Sequence, residues 1–226
     1  MREIMTLWHG SSSIIEKPVF GYGKAYNDYG LGFYCTENVD LAKEWACADQ
    51  LNGYANQYTL DVDDLNILKL SSASYTILNW LALLVENRQF QPSSAVAKQG
   101  LQYLKEVFMP DISRYDLIIG YRADDSYFSF ARAFLNNTIS LQQLSVAMRL
   151  GRLGEQIVLK SERAFDRIQF TGYEIADSTI YYIRRKQRDE DARQTYRANA
   201  ELDDLNGLYM RDILREKVQN DDPRLR

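Results

Sequence analysis

Two short segments constrain this chain most: Leu7-Trp8-His9-Gly10-Ser11 near the N-terminus and, further along, Gly30-Leu31-Gly32-Phe33-Tyr34-Cys35-Thr36. The first reads as a strand running into a turn and carries the only histidine of the chain. The second pairs glycines, which let backbone approach a ligand, with an aromatic side chain that can stack on one. A single imidazole has no second histidine with which to share a metal and no nucleophile beside it. Its natural work is hydrogen bonding to a sugar or a phosphate.

The rest of the 226 residues supports one large domain, or one domain with an appendage. A 46% hydrophobic content supplies a substantial core, and a net charge of −4 argues against binding nucleic acid by bulk electrostatics. Cys35 and Cys47 lack metal-type spacing, so no structural metal is expected. No apolar run has signal-peptide or transmembrane length, which with free thiols points to the cytoplasm and away from membranes.

Hydrophobic patterning predicts a mixed α+β chain. Strands are expected at residues 4–9, 33–36, 54–60, 65–70, 115–120, 156–160, 168–173 and 179–183. Helices are expected at 40–52, with Asn38 or Asp40 as N-cap, and at 73–88, 92–108, 126–136 and 140–149, the last opened by a Ser140/Gln143 capping box. Residues 11–29 read as a loop. From Arg184 the chain turns charged, with a thin stripe of Leu202, Leu205, Leu208, Tyr209, Ile213 and Leu214 at helical spacing. This divides the chain into a domain over 1–183 and a helical extension over 184–226, packed on its own domain or offered to a partner.

Taken in order, these motifs resemble the ADP-ribosyltransferase superfamily, in its histidine-tyrosine branch, and more closely a bacterial family labelled domain of unknown function 3990. The resemblance implies a split-sheet cleft flanked by helices that takes NAD as substrate without a metal. On that resemblance His9 would bind the adenosine ribose and the Gly10 backbone the nicotinamide carboxamide. Gly32-Phe33-Tyr34-Cys35-Thr36 would supply the cleft strand, with Tyr34 stacking on the nicotinamide ring and Trp45 as the second stacking aromatic. Gly154-Glu155-Gln156-Ile157-Val158-Leu159 resembles the strand bearing the catalytic glutamate, so Glu155 or Gln156 would meet the nicotinamide ribose. A glutamate there favours the oxocarbenium-like transition state by its charge, whereas a glutamine hydrogen-bonds ribose without supplying charge. Asp124 and Asp125, after the strand at 115–120, offer an alternative carboxylate or a helix cap. Asp28 is a turn residue or a substrate contact. Arg122 and Lys160 are expected in solvent, and Cys35 on the core side of its strand.

The same resemblance implies transfer of ADP-ribose to a protein or nucleic-acid acceptor, with nicotinamide released, in the toxin half of a toxin–antitoxin or phage-defence pair. The C-terminal extension would then contact an antitoxin. The alternative is a non-catalytic module that keeps the fold and the nucleotide pocket.

Overall fold

The computed structural model describes residues 3–47, 50–123, 125–149, 154–201 and 204–226, the side chains of 125 and 126 excepted. It is a mixed α+β structure built on two sheets. In the first, β1 (Ile4–Ser11), β3 (Gly53–Asp61) and β7 (Ile168–Ala176) run antiparallel, with β3 in the centre. In the second, the order is β2 (Phe33–Cys35), β6 (Glu155–Leu159), β5 (Leu117–Tyr121), β4 (Ile67–Lys69). Only β4 and β5 pair in parallel there. A parallel pair needs a long crossover, which α2 (Ile77–Asn87), α3 (Ala95–Tyr103) and the π-helical turn Leu104–Phe108 provide.

Two apolar layers result. Leu7 of β1, Leu60 of β3, Cys35 of β2, Leu117 of β5 and Ile157 and Leu159 of β6 form a buried cluster contributed by both sheets. The larger core draws on α2, α4 (Asp125–Leu135), α5 (Leu141–Ala147) and the second sheet, with Trp80, Phe130, Phe134 and Val158 fully buried. At about 25 cal/mol per Å² of apolar surface removed from water, this layer dominates the stability of the fold. The sheets are stitched by a backbone bridge in which Trp8 N–H donates to Thr36 O (2.7 Å) and Thr36 N–H to Trp8 O (2.9 Å). His9 and Tyr34 lie beside that seam.

The local signals account for much of this. Asn38, rather than Asp40, caps α1 (Val39–Ala46), its side chain accepting from the N–H groups of Asp40 and Leu41. The Ser140/Gln143 capping box opens α5 as expected. Four expectations need correction. The strand expected at 4–9, which holds His9, runs two residues further to Ser11 before any turn. The helix expected over 40–52 stops at Ala46, because β3 starts at Gly53. The strand expected at 168–173 runs on to Ala176. The strand expected at 179–183 is the first turn and a half of α7 (Ser178–Ala200). Its β-branched and aromatic residues suit a strand, but Asp177 accepts from Thr179 N–H and Oγ1–H and starts a helix instead. Tyr181 and Tyr182 then pack on the small cluster of Ala46, Cys47 and Ala176. A short α6 (Glu162–Phe165) precedes β7, and α8 (Met210–Glu216) buries Met210 and Ile213 against the main core.

Candidate functional site

The site begins with one hydrogen bond across the seam. His9 Nδ1 lies 2.7 Å from Tyr34 O. A carbonyl only accepts, so Nδ1 carries the proton and Nε2 is left as an acceptor. Burial holds the imidazole pKa below its ordinary value, although the Tyr34 carbonyl pulls it upward. The neutral, Nδ1-protonated ring is therefore favoured. It is further fixed by stacking on Phe33, with centroids 4.4 Å apart. Tyr34 is pinned at its far end: its hydroxyl donates to Gly30 O (2.6 Å) and accepts from Tyr29 N–H (3.1 Å). Burial pushes its phenol pKa well up, so it stays protonated. Cys35, facing the opposite side of β2 as expected, is fully buried and its thiol is likewise pushed up.

A cavity of about 730 Å³, in the usual range for small-molecule sites, opens at this seam. His9, Gly10, Gly32, Tyr34, Trp45 and Gln156 all line it. These six, singled out in the sequence, thus converge from β1, the entry to β2 and β2 itself, α1 and β6, and Asp28 and Arg122 join them. The two glycines do so for a reason the sequence did not reveal. A Cβ on Gly10 would sit 2.0 Å from Ala42 O of α1, and one on Gly32 would sit 2.6 Å from Val158 Cγ1. What approaches these backbones closely is the protein itself: Gly10 lets α1 lie on β1, and Gly32 lets β2 meet β6.

Which residue of the Glu155-Gln156 pair faces the cavity follows from the pleat. Gln156 shares its strand face with Val158 and, across the pair Tyr34–Val158, with Tyr34. Its Nε2 donates to Asp28 Oδ2 (2.9 Å) and to Tyr121 O (3.2 Å), leaving its carbonyl oxygen as an acceptor. Glu155 is on the other face, does not line the cavity, and has its Oε1 buried without a hydrogen-bond partner.

Asp28, which the sequence left between turn and contact, is the hub of the site. It is 4% exposed. Its Oδ2 also accepts from Ala123 N–H (2.8 Å), and its Oδ1 lies 2.7 Å from Nε of Arg88, which follows α2. Arg88 in turn donates to Ala123 O. The carboxylate thus ties the loop before β2, the end of α2, the turn after β5 and strand β6 into one unit. Lys160, expected in solvent, donates from Nζ to the carbonyls of Tyr29 and Leu31, and burial lowers its pKa. Arg122, also expected in solvent, lies over Trp45 with its guanidinium carbon 3.6 Å from the ring centroid.

Thr36 does not line the cavity: its Oγ1 accepts from Asn38 N–H (3.2 Å) and it serves the turn into α1. Asp124 lies outside the described residues. Asp125 opens α4, and its side chain lies outside them too. The sequence reading missed Arg88 and Arg185, both cavity-lining. The Asn-Arg at the end of the α2 pattern was the only hint of the first, and no local signal marked the second.

Electrostatically the cavity inverts the chain. Against a net charge of −4 overall, its described lining holds Lys17, Lys24, Arg88, Arg122 and Arg185 with a single carboxylate, Asp28. Aromatic faces beside an excess of cations suit a planar ring attached to phosphates. Among the described residues no cluster of three or more His, Cys, Asp or Glu could hold a metal ion, and no helix is long and apolar enough to cross a membrane.

No curated protein and no solved structure matches the chain. One family model does, over residues 5–170, which runs from the second residue of β1 to the third of β7 and takes in every cavity-lining residue but Arg185 of α7. The chain belongs to the family described as proteins of unknown function, DUF3990.

Proposed function

We propose that this protein is an NAD-dependent ADP-ribosyltransferase, acting on a protein or nucleic-acid acceptor as the toxin of a toxin–antitoxin or phage-defence pair. The observation that supports this best is the convergence of His9, Tyr34, Trp45 and Gln156 on one cation-rich cavity at the seam of two sheets. In this reading His9, neutral and protonated on Nδ1, presents Nε2 to a hydroxyl of the adenosine ribose. Tyr34, held at its hydroxyl, offers a fixed ring face to the nicotinamide. One face of Trp45 is covered by Arg122, so Trp45 serves the ring with its other face or after the guanidinium moves to a phosphate. Gln156 accepts from the nicotinamide-ribose hydroxyls through its carbonyl oxygen, oriented by Asp28 and Tyr121. The residues then hold NAD while the C1′–nicotinamide bond breaks, its electron pair leaving with nicotinamide. The acceptor nucleophile bonds to C1′ and loses its proton.

Gln156 supplies no charge to the positive centre that develops at C1′, and Asp28, the one carboxylate among the described lining residues, is already neutralised by Arg88. That observation favours a second reading, a module that binds NAD without cleaving it. The experiment that separates them incubates the full chain with NAD labelled on the adenylate phosphate and a cell lysate. Label carried into material sensitive to protease or to nuclease, and lost in His9→Ala, supports transfer and names the acceptor class. Saturable NAD binding with no transfer and no nicotinamide release supports the second reading.

A further inference from the structure

The cavity has one wall that the family match does not include. Helix α7 starts at Ser178, beyond the matched segment, and contributes Arg185 to the lining. From its charge run and thin stripe, the sequence suggested an extension facing an antitoxin or merely packed on its own domain. The packing is specific. Glu44 of α1, 2% exposed, pairs with Arg188 of α7 at 2.5 Å. Lys43 of α1 reaches Glu174 at the end of β7 (2.6 Å) and donates to Tyr181 Oη (3.4 Å), which itself donates to Asp40 (3.2 Å). Gln50 donates to Tyr182 Oη (3.0 Å). Thus α7 is clamped along α1, the helix that carries Trp45 next to Glu44. Arg185 and Arg188 are three residues apart and share a helix face: one is held by Glu44 while the other reaches the cavity.

Arg88 is neutralised by Asp28 and Arg122 lies on Trp45. Among the described residues, the side chains of Lys17, Lys24 and Arg185 hold no hydrogen bond and no ion pair, although all three line the same cavity. Three uncompensated cations around one concave, aromatic-lined space repel each other unless an anion joins them. Of the three only Arg185 sits on a regular element, clamped one turn away, and only arginine offers a planar fork for two phosphate oxygens.

We infer that α7 is a working wall of the ligand site, in which Arg185 binds the diphosphate of a nucleotide ligand. This rests on the NAD reading for the owner of those phosphates, whereas the role of Arg185 stands on the cavity itself. The C-terminal segment thus serves the chain's own pocket, whatever else it contacts.

The test is calorimetric titration of the full chain at low salt with ADP-ribose, ADP, adenosine and nicotinamide. The variants are Arg185→Ala, Arg185→Lys and, as a control of equal charge change, Arg184→Ala, whose guanidinium lies over Tyr181. One lost charge-assisted hydrogen bond weakens binding by about tenfold or more. Arg185→Ala is expected to weaken ADP-ribose and ADP to that extent and to flatten the dependence of log K on log salt. Arg185→Lys should recover part of the loss. Arg184→Ala, and adenosine or nicotinamide with any variant, should be unchanged. If Arg185→Ala binds ADP-ribose as the wild type does, α7 is no part of the site, even if NAD binding stands. If Arg184→Ala and Arg185→Ala weaken ADP equally, only the general field acts and the inference fails. Arg185-dependent ADP binding without NAD cleavage upholds the inference and removes the transferase reading. A wild type that binds neither ADP nor ADP-ribose removes both.

Discussion

Replacing Asp28 with alanine tests whether the site is one mechanical unit. The carboxylate is 4% exposed and meets three groups from elements distant in sequence: Arg88 Nε at 2.7 Å, Ala123 N at 2.8 Å and Gln156 Nε2 at 2.9 Å. Hydrogen bonds to a charged group contribute about 1.5–3 kcal/mol each, so the two from Ala123 N–H and Gln156 Nε2 sum to roughly 3–6 kcal/mol before the Arg88 ion pair is added. That sum is too large here. The Arg88 side chain is 24% exposed, so water can take up part of its orphaned charge. Removing one partner of a buried pair typically costs about 3–5 kcal/mol, and Asp28→Ala should fall in that range. Asp28→Asn keeps the shape and one acceptor oxygen but turns an amide toward Arg88, for a cost of about 1.5–3 kcal/mol. Urea unfolding with linear extrapolation gives both values, provided the slope m is unchanged. With m at about 2–3 kcal/mol/M for a chain of this size, the Asp28→Ala midpoint should drop by about 1–2 M. A double-mutant cycle with Arg88→Met completes the test. A cost below about 1 kcal/mol for Asp28→Ala, or additivity with Arg88→Met within about 0.5 kcal/mol, refutes the hub.

Acidification should act through His9. Its folded-state pKa lies below the ordinary 6.5, so between those two values the unfolded chain binds more protons and stability falls as pH drops through that window. As His9 is the only histidine, denaturation midpoints of His9→Gln should lose this step; an unchanged step would mean that another group carries it. Glu44, raised by burial, works in the opposite direction and does not mimic it. Gly10→Ala drives a methyl 2.0 Å from Ala42 O and should cost about 1–3 kcal/mol by overpacking. It should also displace α1 and weaken any ligand that uses Trp45, whereas stability and binding equal to wild type would show that α1 yields freely.

Much of this architecture was legible in the chain. Strands at Ile4, Phe33 and Leu117, the Asn38 cap and the Ser140/Gln143 box all carry local signals, set by side chains within three or four residues of one another. The pleat of β6 also follows from sequence once its register on β2 is known, and that register, set by tertiary pairing, decides between Glu155 and Gln156. Other features had no local trace. Asp28 meets Gln156 across 128 positions, and Arg188 meets Glu44 across 144, so neither pair leaves a pattern in any window. The segment Thr179–Ile183 misled because its β-favouring composition was outweighed by the Asp177 cap and by tyrosines packing on α1. Gly10 and Gly32 were recognised as close approaches, but to a ligand rather than to Ala42 and Val158.

We propose above all that the seam cavity holds NAD for cleavage. The most direct test is nicotinamide release from NAD by the purified full chain, with and without lysate as acceptor, beside His9→Ala, Glu155→Ala and Gln156→Ala. If it does, release is expected that His9→Ala abolishes and Gln156→Ala strongly reduces, and that Glu155→Ala, facing away from the cavity, leaves near the wild-type rate. No release under either condition, or release indifferent to His9 and Gln156, contradicts it.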